Sequence, residues 1–236
     1  MKKSLQHQSF LTYSNFNKLC NKVMFDNGLI PRQQFFSKIT GLEEECKKCW
    51  QFYLKPRNKS IKKYDIIYGK KYEDAFIKFL KKLSILSDKA DKKNKVLPDN
   101  LILNKKGNKL AYYEVKHHNA PFVWVFKKVK GRECYEGSIT LDYEKVKRQI
   151  EEIRKITSLP VFYLHWVDFP CIKGVFFMTL EDTKKALEEG IAYKRKEREG
   201  DYIVSTAGKK KVGYQNKIYP SILKMKSLED FVNLFI

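Results

Sequence analysis

The clearest periodicity in the chain lies between residues 142 and 156. There Tyr143, Val146, Ile150 and Ile153 recur at helical spacing among charged neighbours and predict an amphipathic helix. A second helical pattern, Tyr72, Phe76, Leu80 and Leu83, predicts a helix over about 69–83, followed by a polar loop over 87–95. The pattern then changes. Residues 100–103, Asn-Leu-Ile-Leu, and 109–116, Lys-Leu-Ala-Tyr-Tyr-Glu-Val-Lys, read as strands joined by the Asn- and Gly-bearing turn 104–108. Residues 121–126 read as extended, 131–137 as a turn and 138–141 as a short strand. The apolar runs 160–167 and 174–180 predict two buried, neighbouring strands. Thr179, three before Asp182, predicts an N-cap for a helix that stops at Gly190, and Ser227 predicts the cap of a last short helix over 228–235.

This order of helix, hairpin, strand, helix, strand and strand predicts an α/β fold with a mixed sheet flanked by helices. Residues 1–63 read as a polar helical N-terminal extension broken near Pro31 and Pro56-Arg57-Asn58. Residues 64–190 read as the core, and 191–236 as a basic, glycine-punctuated C-terminal extension packed on it.

Composition narrows the function. The 236 residues carry 43% hydrophobic and 14% aromatic side chains, enough for a buried core. Against 27 acidic residues stand 48 Lys and Arg, a formal charge of +21 spread along the whole chain. A folded, strongly basic protein meets a polyanion, most often nucleic acid; a lysine-rich proteome gives the same composition without that partner. No apolar run follows the two N-terminal lysines, and no window is long and apolar enough to span a membrane. Five cysteines, Cys20, Cys46, Cys49, Cys134 and Cys171, read as reduced thiols of a cytoplasmic protein.

The residues that carry chemistry are Asp99, Glu114 and Lys116. Glu114 and Lys116 lie two apart on one strand and share a face. If 104–108 is the turn, Leu103 faces Lys109 and Asp99 falls opposite Tyr113, one step from Glu114; a shift of one residue puts the two carboxylates opposite each other. Two hard oxygen anions suit a magnesium-like ion, which takes one or two carboxylates, waters and phosphate. Such an ion polarises a phosphoryl oxygen and acidifies bound water, and a lysine beside that water orients it and offsets charge. An acid-x-Lys pattern occurs four times, at Glu45, Asp91, Glu114 and Asp182, whereas Pro-Asp occurs once. Only the Glu114 copy sits on a strand just after Pro98-Asp99. The bland alternative is an edge strand with solvated charges.

Pro98-Asp99, fourteen intervening residues and Glu114-Val115-Lys116 resemble the PD-(D/E)XK, or restriction-endonuclease-like, nuclease superfamily. The resemblance covers residues 64–180 and implies a mixed sheet flanked by helices. It further implies that Asp99, Glu114 and the Val115 carbonyl hold Mg2+, with Mn2+ as a substitute, and that Lys116 acts on the nucleophilic water. Glu73, in Gly69-Lys-Lys-Tyr-Glu-Asp, matches a glutamate that the family often places on the preceding helix, and by that resemblance binds metal directly or through water. Independently, Glu73 shares a helical face with Ile77 and Leu80, where a carboxylate needs a partner; a solvated pair with Lys70 or Lys71 is the alternative. The implied activity is metal-dependent endonucleolytic cleavage of double-stranded or branched DNA, of restriction or junction-resolvase type, by a homodimer where both strands are cut. Two other readings stay open: an RNA-cleaving endonuclease, whose usual histidine before Pro-Asp has no counterpart between His7 and His117, and a non-catalytic nucleic-acid-binding protein.

Lys145, Lys147 and Gln149 on the amphipathic helix are candidate phosphate contacts. Ile153 stands where some exonuclease members carry tyrosine four after the glutamine. Lys127, Lys128, Lys130, Lys209, Lys210 and Lys211 are further candidate nucleic-acid contacts. The tyrosines interleaved with the last basic clusters, Tyr193, Tyr202, Tyr214 and Tyr219, either stack on bases or pack a hairpin beneath a basic face. His117 and His118 either line the site or cap the strand in solvent, and His165 reads as a core histidine. Cys46-x-x-Cys49 is half a zinc site without its other half, so zinc is not expected.

Overall fold

The computed structural model describes residues 62–91, 96–118, 125–130, 138–168, 173–196, 202–205, 208–211 and 214–236. Residues 1–61 of the expected N-terminal extension, the turn 131–137 and all five cysteines lie outside the described residues.

The first helix, α1 (Lys62–Lys82), begins earlier than its apolar spacing predicts. It buries Tyr72, Ala75, Phe76, Phe79 and Leu80, a stripe at helical spacing. The stretch expected as a loop from residue 87 instead opens with a strand, β1 (Leu86–Lys89). β2 (Asn100–Leu103) and β3 (Lys109–His118) form the expected hairpin. In its turn, Asn104 Oδ1 accepts from the Lys106 and Asn108 amides, both at 2.9 Å, and Gly107 adopts φ of +81°, a conformation that favours glycine.

Residues 125–127 are a 3₁₀ turn, which corrects the end of the extended segment predicted for 121–126; residues 121–124 lie outside the described residues. The predicted strand 138–141 is reduced to a bridge from Ser138 to Ser221 and the two-residue β4 (Leu141–Asp142). Then come α2 (Tyr143–Ile156), β5 (Val161–Asp168), β6 (Lys173–Thr179) and α3 (Leu180–Glu189), close to their predicted bounds. Thr179 and Asp182 close a capping box, satisfying amides that the helix leaves unpaired. The basic stretch forms β7 (Tyr193–Lys196), β8 (Tyr202–Ser205), β9 (Gly208–Lys211) and β10 (Tyr214–Ile218). β11 (Lys226–Ser227) and α4 (Leu228–Asn233) end the chain, with Ser227 capping as its sequence predicts.

The main sheet has six strands in the order β1-β2-β3-β5-β6-β11. Its only parallel pair is β3 with β5; the other four pairs are antiparallel. Parallel neighbours need a crossover connection, and α2 lies in it. Small sheets β4-β10-β7 and β8-β9 complete the fold. The mixed sheet flanked by helices is thus observed.

Alternation along β3 divides the core in two. Ala111, Tyr113 and Val115 pack with α1 and α4, while Tyr112 packs with α2 and α3. Phe231 of α4 sits at the centre of the first cluster, with ring centroids 5.3–6.3 Å from those of Phe76, Tyr113, Phe162, Phe177 and Phe235. Phe231 therefore belongs to the core, and Tyr193 packs tilted against Tyr219 with ring centroids 6.1 Å apart. Among the described residues, no helix is long and apolar enough to cross a membrane. Replacing Phe231 by alanine should cost about 3–5 kcal/mol in urea unfolding. A loss under about 1 kcal/mol would mean that α4 is not part of the core in solution.

Candidate active site

The hairpin register decides the geometry. Leu103 faces Lys109 as the turn dictates, but the register shifts after this pair, so that Ile102 faces Ala111 and Asn100 faces Tyr113. Leu110 is the extra residue of a β-bulge, and it stands exposed. One residue further along this ladder, Asp99 stands opposite Glu114. This is the one-residue shift that the sequence left open.

β3 continues beyond the end of β2, and from Glu114 onward its only ladder partner in the main sheet is β5. The Tyr112 amide donates to the Pro160 carbonyl toward β5 at 2.9 Å, and Asn100 Nδ2 reaches the Tyr113 carbonyl from the β2 side at 3.4 Å. Successive residues of a strand direct their backbone groups to opposite edges. The Val115 carbonyl therefore points to the β2 side, past the last β2 pair and toward the end of the hairpin where Asp99 lies.

Lys116 Nζ lies 3.2 Å from Glu114 Oε1, with both side chains largely covered. Gln149 of α2 donates through Nε2 to Glu114 Oε2 at 3.5 Å and to the Val96 carbonyl at 3.2 Å. Its amide thus turns inward to the carboxylate instead of outward to solvent. Burial pushes the Glu114 carboxyl up, but the charges of Lys116 and Lys145 and the hydrogen bonds from Lys116 and Gln149 outweigh it and leave its pKa below the ordinary value. Asp99 is displaced the other way. Lost hydration, then the charge of Glu114, raise its pKa against the pull of Lys89, Lys145 and Lys116. Two carboxylates that repel each other in this way, beside a backbone carbonyl, form a donor set that suits a hard divalent ion completed by water and phosphate. Buried Gln149 Oε1 and Tyr163 Oη have no hydrogen-bond partner among the described residues, and Tyr163 is paired in register with Glu114. Such atoms favour ordered water beside the carboxylate. Among the described residues no three His, Cys, Asp or Glu side chains group into a metal cage. The fit is therefore to an ion that keeps much of its own hydration.

Glu73 pairs with a lysine of the sheet. Its Oε2 accepts from Lys89 Nζ of β1 at 2.8 Å, and the same ammonium lies 3.1 Å from Asp74 Oδ1. Burial raises the Glu73 pKa against the Lys89 bond, and the charges of Asp99 and Asp74 raise it further. Lys89 was missed by sequence reasoning, because it lies in the stretch read as a loop. Lys145 acts electrostatically on both carboxylates, and Lys127, Lys128, Lys130 and Lys147 are exposed. Lys209, Lys210 and Lys211 form most of β9. His118 lies on the Glu114–Lys116 face, with Nε2 3.1 Å from Nδ1 of the buried His165. Burial, then the charge of Lys116, push the His118 pKa down to about 3. His117 points to the other face and stacks on Tyr72 with centroids 3.7 Å apart.

The carboxylates should titrate apart in NMR, Glu114 below and Asp99 above their ordinary values. Because the folded pKa of Glu114 is depressed, its ionisation stabilises the fold above the ordinary glutamate range, and that contribution fades as pH falls through the lower folded value. Asp99 has the opposite sign: its ionisation opposes folding, and the penalty disappears as pH falls through its raised value. Lys116→Met should move the Glu114 titration upward. An unmoved Glu114 would show that the ion pair does not form in solution.

No protein-family model matches the chain, and no curated protein matches it. Among solved structures it is similar to Hjc of Archaeoglobus fulgidus, a Holliday junction resolvase from an archaeal hyperthermophile. That similarity has a TM-score of 0.38 and 11% identity, covering 70% of this chain and 96% of that one.

Proposed function

We propose that the chain is a metal-dependent endonuclease that hydrolyses phosphodiester bonds in double-stranded or branched DNA. The observation that carries the reading is the bulged hairpin register, which sets Asp99 opposite Glu114 with Lys116 on the same face as Glu114. Asp99, Glu114 and the Val115 carbonyl would hold Mg2+ or Mn2+, and the ion would supply Lewis-acid polarisation of the phosphate and acidify a bound water. Lys116 orients that water and offsets charge on the phosphate. Gln149 donates to the Glu114 carboxylate from α2. Lys145 adds positive charge at the rim, and the remaining basic surface, with a chain charge of +21, attracts the polyanion. A homodimer would present one such site to each strand of a duplex.

Purified protein should nick duplex or four-way-junction DNA only with Mg2+ or Mn2+ present. Asp99→Asn, Glu114→Gln and Lys116→Met should each remove most cleavage while remaining folded and DNA-bound. Only the lysine variant should still take up metal normally. Full activity in any of the three would sink this active site, and metal-free cleavage would sink the chemistry. DNA affinity should also fall steeply with salt, by about a thousand-fold or more between about 50 and about 200 mM if six or more phosphates are neutralised. An affinity indifferent to salt would mean that the basic surface is not the docking surface.

A further inference from the structure

A lysine sits between two carboxylates of the acidic rim. The Lys89 ammonium lies 2.8 Å from Glu73 and 3.1 Å from Asp74, with its side chain two-thirds covered. Burial pushes the Lys89 pKa down, but the hydrogen bonds and charges of Glu73 and Asp74 outweigh it and hold the group firmly protonated. Its placement is fixed by the sheet. Lys89 pairs with Asn100, the residue after Asp99, and the Ala90 amide donates to the Asp99 carbonyl at 2.8 Å. The Lys89 side chain therefore shares the Tyr113 face of the sheet with Glu73, and its charge still acts on the Asp99 carboxylate as well as on Glu73.

We propose that Lys89 is a built-in second cation of this site: its ammonium fills the position between Glu73 and Asp74 that a second divalent ion would take, so the chain binds one divalent ion and not two. This rests on the metal-binding reading of Asp99 and Glu114.

Charge supports it. Glu73, Asp74, Asp99 and Glu114 face Lys89, Lys116 and Lys145, which leaves one net negative charge when all are ionised. One divalent ion and one phosphodiester charge bring the cluster to neutrality. A second divalent ion would leave two uncompensated positive charges in a partly covered site, a costly arrangement. Size supports it as well. The ammonium-to-oxygen separations of about 3 Å are only somewhat longer than the roughly 2.0–2.6 Å of Mg2+ and Ca2+ ligation. Small movements of the Glu73 and Asp74 side chains would close that difference once the ammonium is gone. Glu73 thus serves the site by holding Lys89, a positioning role, and not as a ligand of the resident ion.

The test counts metal ions without reading activity. Mn2+ binding is followed by isothermal titration calorimetry and by electron paramagnetic resonance, which registers the coupling of neighbouring Mn2+ ions. The wild-type chain should bind one ion. Lys89→Met, which keeps most of the stem, and Lys89→Gln, a second uncharged replacement, should each bind two, with spin coupling between them. Adding Glu73→Gln to either should return the count to one, and Lys89→Arg should keep it at one. Two ions in the wild-type chain, or a single ion in both neutral variants, would overturn the proposal and leave the Asp99–Glu114 site standing. No ion in the wild-type chain would overturn both.

Discussion

The site depends on one extra residue in a hairpin. The turn clipped by Asn104 fixes Leu103 opposite Lys109, and continuing that register would set Asp99 opposite Tyr113. Side chains alternate between faces along a strand, so a one-residue slip moves a whole set to the wrong side. Tyr113 belongs to the core beneath α1 and α4, and a carboxylate aligned with it would face that apolar cluster. The bulge at Leu110 absorbs the mismatch. The cost is an exposed leucine and a local break in the ladder, and the return is that Asp99 and Glu114 share a face.

From that alignment the rest of the arrangement follows. β3 outruns β2, so the carboxylates meet just past the last described pair of the hairpin. β5 closes the other side and brings Tyr163 level with Glu114 and His165 level with Lys116. α2 covers this face with Val146, Ile150 and Ile153, and its helical period then sets Lys145 and Gln149 one turn apart toward the carboxylates. The same apolar stripe that anchors the helix thus aims its polar residues.

Much of this was legible because it rests on local periodicity. The spacing of Val146, Ile150 and Ile153, the two capping boxes at Thr179 and Ser227, and the Asn-Gly turn are short-range signals, and each element formed where its signal lies. β1 was not legible. Its inward positions are Ser87 and Lys89, which are polar, and they are satisfied only by distant partners. Ser87 Oγ donates to the Leu101 carbonyl at 2.9 Å and is 2.6 Å from the Tyr113 hydroxyl, and Lys89 is tied to Glu73 on another element. Without those partners the stretch has no strand pattern. The bulge was illegible for a related reason. The turn sets the register at one end of the hairpin, whereas the Tyr113 side of the core sets it at the other, and the sequence does not say where the difference is taken up.

The unequal carboxylates give the last step. Glu114 is kept ionised by Lys116, Lys145 and Gln149, while Asp99 resists ionisation first because it is partly buried and then because Glu114 is already charged. A cation placed between them would relieve that repulsion, and most of the gain would fall on Asp99, the carboxylate whose ionisation is disfavoured. The same cation would weaken the hold of Glu114 on Lys116, because one carboxylate charge would then be shared between two positive partners. On the proposed chemistry the ammonium that lies 3.2 Å from Glu114 would then be free to turn toward water and phosphate. Lys89 would not be released in this way, since Glu73 and Asp74 hold it. On this reading the two lysines would differ in kind, one set free by the ion and the other fixed in place of one.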